Sequence, residues 1–176
     1  MMDEPKLFKG KLVKIRLISN SMCYGPCPMP DQEIEQRITI TPTHIWVSRY
    51  DYGEGDPYKL RQRFDGRIAR ENGDAILKSI EDYFKSEEFF IPYATDVGDW
   101  ELTLINEDGE NFKFVGSLIS LGTLLDVISQ DMRERLDMPY LYLFNGEGAQ
   151  DKIDRITIEY SRVTKYDKPK DLNNAD

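Results

Sequence analysis

The chain has 176 residues, of which 40% are hydrophobic and 31% are charged, and its formal net charge is −9. A chain of this length fits one domain that can bury a core without disulfides or metal ions. The composition excludes a membrane protein and a disordered one, and the acidic balance counts against a general nucleic-acid binder.

The first 70 residues predict four β-strands. From Lys11 to Ile18, apolar and polar residues alternate with the period of a strand that buries one face. Three prolines within residues 19–31 predict a loop, because proline cannot donate to a central sheet ladder. Two alternating segments on either side of Pro42 predict a hairpin, and Tyr58 to Ile68 is a candidate fourth strand.

Two later segments have the periodicity of amphipathic helices. From Asp74 onward, apolar residues recur at helical spacing, and the expected N-cap is Asn72 or Asp74. Thr123 is followed three residues later by Asp126, which resembles the capping box that opens a helix. We expect Pro139 to lie beyond the end of this second helix.

The other segments of the second half predict strands. Alternation on both sides of Asp108-Gly109 predicts a hairpin, because glycine tolerates the positive φ that a tight turn needs. Two further strands are predicted over residues 140–144 and 153–163. The first of these is rich in aromatic residues, and the second is the longer one.

The order of these elements predicts the architecture. Consecutive hairpins imply mostly antiparallel pairing, and two helices are too few to cover both faces of a large sheet. We therefore expect an α+β fold, with a mostly antiparallel sheet built from hairpins and two helices packed on one face. We expect one α+β domain over residues 1–167 and a disordered C-terminal tail over residues 168–176, with a division near residue 70 as the alternative.

Residues 1–10 do not have the pattern of a signal peptide. Residues 1–10 include charged side chains and no apolar run, whereas a signal peptide needs an apolar stretch of about 7–15 residues. The apolar runs elsewhere are much shorter than the roughly 20 residues of a membrane helix. The sequence therefore predicts a cytoplasmic protein without membrane association, in which cysteines are reduced thiols by default.

Cys23 and Cys27 flank a Gly-Pro pair and invite a redox interpretation. Thioredoxin-like chemistry places Cys-x-x-Cys at a helix N-terminus, where the helix dipole lowers the pKa of the first thiol. Here the spacing is one residue longer, and the prolines that follow favour irregular backbone. We expect two unpaired thiols in a loop, and a thiol-dependent redox protein is the alternative.

His44 is the only histidine. A small hydrolase that uses His44 with carboxylates is a further alternative, because catalytic triads are assembled in space rather than in sequence. However, the sequence has no nucleophile elbow, no phosphate-binding glycine loop and no calcium loop, and His44 could add only a third ligand to the two cysteines where zinc needs four. We therefore assign no catalytic residue and expect neither a metal nor a cofactor.

Charge is unevenly distributed along the chain. Residues 1–70 hold 12 basic and 9 acidic side chains, whereas residues 71–176 hold 11 and 23. Lys59, Arg61 and Arg63 would share one face of a strand and form a candidate docking stripe for an acidic protein. A phosphate backbone is the less favoured ligand, because the net charge repels nucleic acid. A merely solvated sheet face is the simpler interpretation.

Aromatic residues add a second candidate surface. Trp46, Tyr50 and Tyr52 are predicted to share one strand face. Such residues anchor interfaces because they are large and carry a polar group, but they also fill ordinary cores. With no recognisable catalytic set, we expect a non-enzymatic interaction or regulatory domain that binds a protein partner through one sheet face or an edge.

Much of the chain also resembles a known family. The similar segments are the Tyr24-Gly25-Pro26 loop, the Asp108-Gly109 turn, the predicted second helix and residues 96–102, 112–117, 141–146 and 154–165. They resemble a family of small bacterial proteins with no assigned activity. Because these motifs are turns and apolar alternation, the resemblance implies a shared fold and identifies no catalytic residue.

Overall fold

The computed structural model describes residues 6–148, which form one six-stranded sheet and two helices. The elements in chain order are β1 (Leu12–Asn20), β2 (Glu33–Ile40), β3 (His44–Asp51), β4 (Lys59–Arg67), α1 (Arg70–Lys85), β5 (Asp99–Asn106), β6 (Asn111–Ser117) and α2 (Leu124–Leu136). Neighbouring strands follow the order β4-β3-β2-β1-β5-β6 and all pair antiparallel. The predicted α+β class is confirmed. The predicted strand over residues 153–163 and the predicted tail lie outside the described residues.

One face of the sheet and both helices form a single hydrophobic core. Ile15 and Leu17 of the central strand β1 have no exposed surface, as the alternation of that segment predicts. Ile76 of α1 and Met132 of α2 join the same cluster. We call the opposite face, which carries Trp46, Ser48 and Tyr50 on β3, the open face. Within the described part of the chain, neither helix is long and apolar enough to span a bilayer.

Helix α1 begins four residues earlier than predicted, and its N-cap is Ala69 rather than Asn72 or Asp74. The side chain of Ala69 makes no capping hydrogen bond. The first turn of the helix instead packs on the β2–β3 turn, where Gly73 lies against the backbone of Pro42. A contact between distant segments therefore sets the start of this helix, and local capping signals do not reveal it.

Helix α2 begins as predicted. Thr123 is the N-cap, and a reciprocal capping box joins it to Asp126. The Thr123 amide donates to the Asp126 carboxylate over 2.7 Å. Several donors stabilise the ionised form of Asp126, with Asn145 foremost, and they lower its pKa despite partial burial.

Residues 140–144 form turn and irregular structure that is largely buried, so the strand predicted there is wrong. Leu143 adopts a φ of 51°, which an extended strand does not allow. Side chains satisfy the backbone of this segment in place of a sheet ladder: Arg133 donates to the carbonyl of Leu141 over 2.8 Å, and Ser19 donates to that of Leu143 over 2.6 Å. The apolar alternation reports burial here, not extended structure.

Candidate functional site

Strand β4 ends the described sheet and extends beyond the helical layer. Eight of its nine residues are exposed, and Gly66 is the partly buried exception. Phe64 pairs with Val47, whose side chain belongs to the core, yet Phe64 is 38% exposed. The helices therefore do not cover this strand. We call its cationic residues the basic edge: Lys59, Arg61, Arg63 and Arg67.

A β-bulge divides the basic edge between the two faces of the sheet. The register shifts between Arg49 and Tyr50, and the extra residue on β4 is Arg61. Arg63 pairs with Ser48 on the open face, whereas the guanidinium of Arg61 lies 3.4 Å from the carboxylate of Glu33. The expectation that Arg61 and Arg63 share one face is therefore wrong, because the inserted residue interrupts strict alternation.

A buried ion pair between β3 and β2 lies next to the basic edge. Arg49 donates to the two carboxylate oxygens of Glu33 over 2.7 and 2.5 Å, and the two side chains are only 8% and 9% exposed. The same guanidinium lies 4.3 Å from the ring centre of Tyr140 and donates to Gln62 over 3.0 Å. Paired geometry of this kind is the strong form of a charge-assisted hydrogen bond.

Beside this ion pair lies a polar pocket of about 490 Å³. Its lining includes Glu33, Arg49, Arg61, Tyr140 and Tyr142. The positive and negative groups of the pocket neutralise each other, so the arrangement fixes β4 against β2 and β3. Among residues 6–148, no group of three or more His, Cys, Asp or Glu side chains is arranged to hold a metal ion.

Tyr142 gives the pocket a measurable pH response. Burial, with a smaller contribution from Glu33, raises the pKa of Tyr142 to about 12. An unfolded phenol ionises near pH 10, so between about pH 10 and 12 the folded state holds the extra proton and its stability falls as pH rises. We expect Tyr142 to account for about 1 kcal/mol of that loss, because its ring is partly exposed.

The measurement is urea unfolding at pH 9 and pH 11. Tyr142→Phe is expected to lose less stability between these values than the parent chain does. Tyr24→Phe is the matched control, because that ring is 92% exposed. Equal losses for the two variants would contradict the assignment.

The predicted aromatic surface is only partly assembled. Trp46 and Tyr50 do share the open face; Trp46 is 38% exposed, and Tyr50 packs under Arg37 at 4.8 Å. Tyr52 lies beyond the end of β3, so it is not part of the same strand face. Its hydroxyl lies 3.9 Å from the sulfur of Cys27, and this hydrogen bond raises the pKa of Tyr52.

Cys23 and Cys27 are exposed, free thiols in the loop between β1 and β2. This described loop contains no helix, so the helix dipole that activates a thioredoxin-like thiol is not available to them. The redox hypothesis stays a prediction. Comparing the rate at which a thiol reagent modifies the folded protein with the rate for the unfolded one tests it directly.

His44 lies at the start of β3 on the open face. Its Nδ1 lies 3.1 Å from the Thr43 hydroxyl, and its ring stacks on Trp46 with 5.6 Å between centroids. The His44 ring therefore contacts the side chains of Thr43 and Trp46, and the His44 backbone amide donates to the Thr41 hydroxyl. The hydrolase hypothesis requires a carboxylate on the imidazole, and it stays a prediction.

Comparison with known proteins adds no relative: no family model, curated protein or solved structure matches the chain. The resemblance to a bacterial family of unassigned activity therefore stays a prediction. Over residues 6–148, the structure defines an α+β fold whose sheet ends at the cationic, exposed strand β4.

Proposed function

We propose that this chain is a protein-interaction domain that binds an acidic, extended segment of a partner protein along β4. The observation that carries the proposal is the exposure of β4 on both faces at the end of the sheet that residues 6–148 form, where it holds the four cations of the basic edge. An exposed edge strand offers backbone donors and acceptors to an added strand, and the side chains on either face select the sequence.

Charge favours an acidic protein over nucleic acid as the ligand. The basic edge attracts carboxylates at short range, whereas the net charge of −9 opposes a polyanion at longer range. The edge also carries Leu60 and Phe64, which are 45% and 38% exposed. An added strand can cover these two side chains and gain apolar contacts as well as ion pairs.

In the competing interpretation, the cations of the basic edge protect the protein from aggregation. Lysine and arginine on an edge strand prevent unwanted pairing between sheets of neighbouring molecules. Under that interpretation, the cations oppose association and bind nothing. The two interpretations differ in what happens when one cation is reversed, because only the first predicts the loss of a ligand.

The test uses a fluorescein-labelled ten-residue peptide of alternating Glu and Thr, with fluorescence polarisation as the readout. Arg63→Glu is expected to weaken binding about fivefold, since reversing one exposed charge costs roughly 1 kcal/mol. Arg63 suits this test better than Arg61, because Arg61 also contacts the buried carboxylate of Glu33.

Lys113→Glu is the matched control. Lys113 is exposed on β6 at the opposite end of the sheet, and its reversal changes the net charge by the same amount. We expect this variant to bind the peptide within twofold of the parent chain. Equal effects of the two reversals, or self-association of Arg63→Glu without any peptide binding by the parent, would refute the proposal.

A further inference from the structure

A second surface lies at the other end of the molecule. A groove of about 660 Å³ runs between the C-terminal end of α1 and the N-terminal end of α2. We call it the helix groove; its apolar lining is Tyr83, Phe89, Phe90, Leu124 and Ile128. Phe89 packs against Phe114 of β6 with 5.8 Å between ring centroids, which places the groove on the side of the sheet away from β4.

Two of the apolar side chains that line this groove are more than half exposed. Phe90 and Leu124 are 58% and 56% exposed, although both line the concave surface. Val127, one helical turn after Leu124, is 62% exposed, and Leu121 just before the helix is 54% exposed. Exposed apolar side chains that line a concave surface are typical of a binding site, whereas single exposed apolar residues elsewhere are ordinary.

The walls of the helix groove are held in place before any ligand arrives. On one side, the Tyr83 hydroxyl donates to the carbonyl of Phe90 and accepts from the Phe90 amide over 3.2 Å. On the other side, the capping box fixes Thr123 at the start of α2. A preorganised groove loses little conformational entropy on binding, which favours affinity.

Charge indicates what the groove accepts. Among residues 6–148, the charged side chains that line it are Asp82 and Glu88, both acidic. Asp82 is already paired with Lys78, but Glu88 follows the end of α1 and is exposed. A second copy of the same groove would bring two Glu88 carboxylates together, so a basic ligand suits the surface better than self-association does.

We propose that the helix groove binds an amphipathic helix of a partner protein, with an apolar face that fills the groove and lysine or arginine at its margins. Grooves between two packed helices bind such helices through side chains spaced three and four residues apart. This site is separate from the basic edge and does not depend on the function proposed for it.

The probe is a fluorescein-labelled 14-residue model helix with leucine at positions i, i+3, i+4 and i+7 and lysine elsewhere. Its counterpart carries glutamate in place of every lysine. By fluorescence anisotropy with the full chain, the lysine peptide is expected to bind at least about fivefold more tightly than the glutamate peptide. Leu124→Gln is expected to weaken the lysine peptide about fivefold or more, through lost apolar burial at unchanged net charge.

Leu60→Gln is the control, because Leu60 is 45% exposed on β4, away from the groove. It is expected to leave the binding of the lysine peptide within twofold. Equal binding of the two peptides, or equal losses in Leu124→Gln and Leu60→Gln, would overturn the proposal. So would a dimer of the parent chain that Leu124→Gln dissociates, since the occupant would then be a second copy. Arg63→Glu leaves the groove intact, so the two proposals can fail independently.

Discussion

Replacing Gly73 with alanine is expected to destabilise the protein by about 3 kcal/mol, although glycine-to-alanine changes in helices ordinarily stabilise by about 1 kcal/mol. Gly73 is buried in the first turns of α1, where the helix crosses the β2–β3 turn. An added Cβ would lie 2.6 Å from the carbonyl carbon of Pro42, and closer still to its oxygen. Because backbone atoms cannot rotate out of the way, the helix or the hairpin must shift.

Urea unfolding of Gly73→Ala measures this effect. Asp74→Ala is the control, since the neighbouring side chain is exposed and its removal leaves the helix contact unchanged. We expect that variant to stay within about 0.5 kcal/mol of the parent chain, as surface substitutions ordinarily do. A stability gain in Gly73→Ala would show that α1 can move away from Pro42 at little cost.

The position of Gly73 also shows where sequence-based reasoning fails. The capping box at Thr123 involves residues within one helical turn of each other, and it was predictable for that reason. The start of α1 depends instead on a close approach to a turn about thirty residues earlier in the chain. No local pattern encodes that contact, so the predicted N-caps of this helix were wrong.

Buried polar contacts explain the second error. The segment 140–144 alternates like a strand, but Arg133 of the preceding helix and Ser19 of the distant strand β1 donate to its carbonyl groups. Alternation reports which residues are buried and cannot show which groups satisfy the backbone. The strands other than β4 were predictable because each has an apolar face that alternates with polar residues, whereas β4 is exposed along almost its whole length.

The sequence predicts the basic residues that form the candidate site but not how they are arranged. The basic residues of β4 are evident in the sequence, and the structure places them on an exposed edge strand. The bulge at Arg61 and the ion pair between Glu33 and Arg49 were not predictable, because both arise from the register of three neighbouring strands. The helix groove was missed altogether, since its walls come from segments on either side of the β5–β6 hairpin.

Glu33→Ala is expected to cost about 3–5 kcal/mol, because it removes one member of a buried ion pair and leaves the desolvation of the other uncompensated. Glu33 accepts two hydrogen bonds from Arg49 in a site where both side chains are less than one-tenth exposed. Glu33 is also within 3.4 Å of Arg61. One substitution therefore weakens the contacts that join β2 to both β3 and β4.

A double-mutant cycle with Arg49→Met separates the cost of leaving one charge buried and unpaired from the interaction free energy between Glu33 and Arg49. We expect each single variant to be strongly destabilised. The loss in the free energy of unfolding of Glu33→Ala/Arg49→Met is expected to be at least about 2 kcal/mol smaller than the sum of the two single losses, because the buried charges disappear together. Hydrogen exchange should show faster opening of β4 in Glu33→Ala than in the double variant. Strictly additive losses would mean that the two side chains act independently, and the basic edge would then be supported by other contacts.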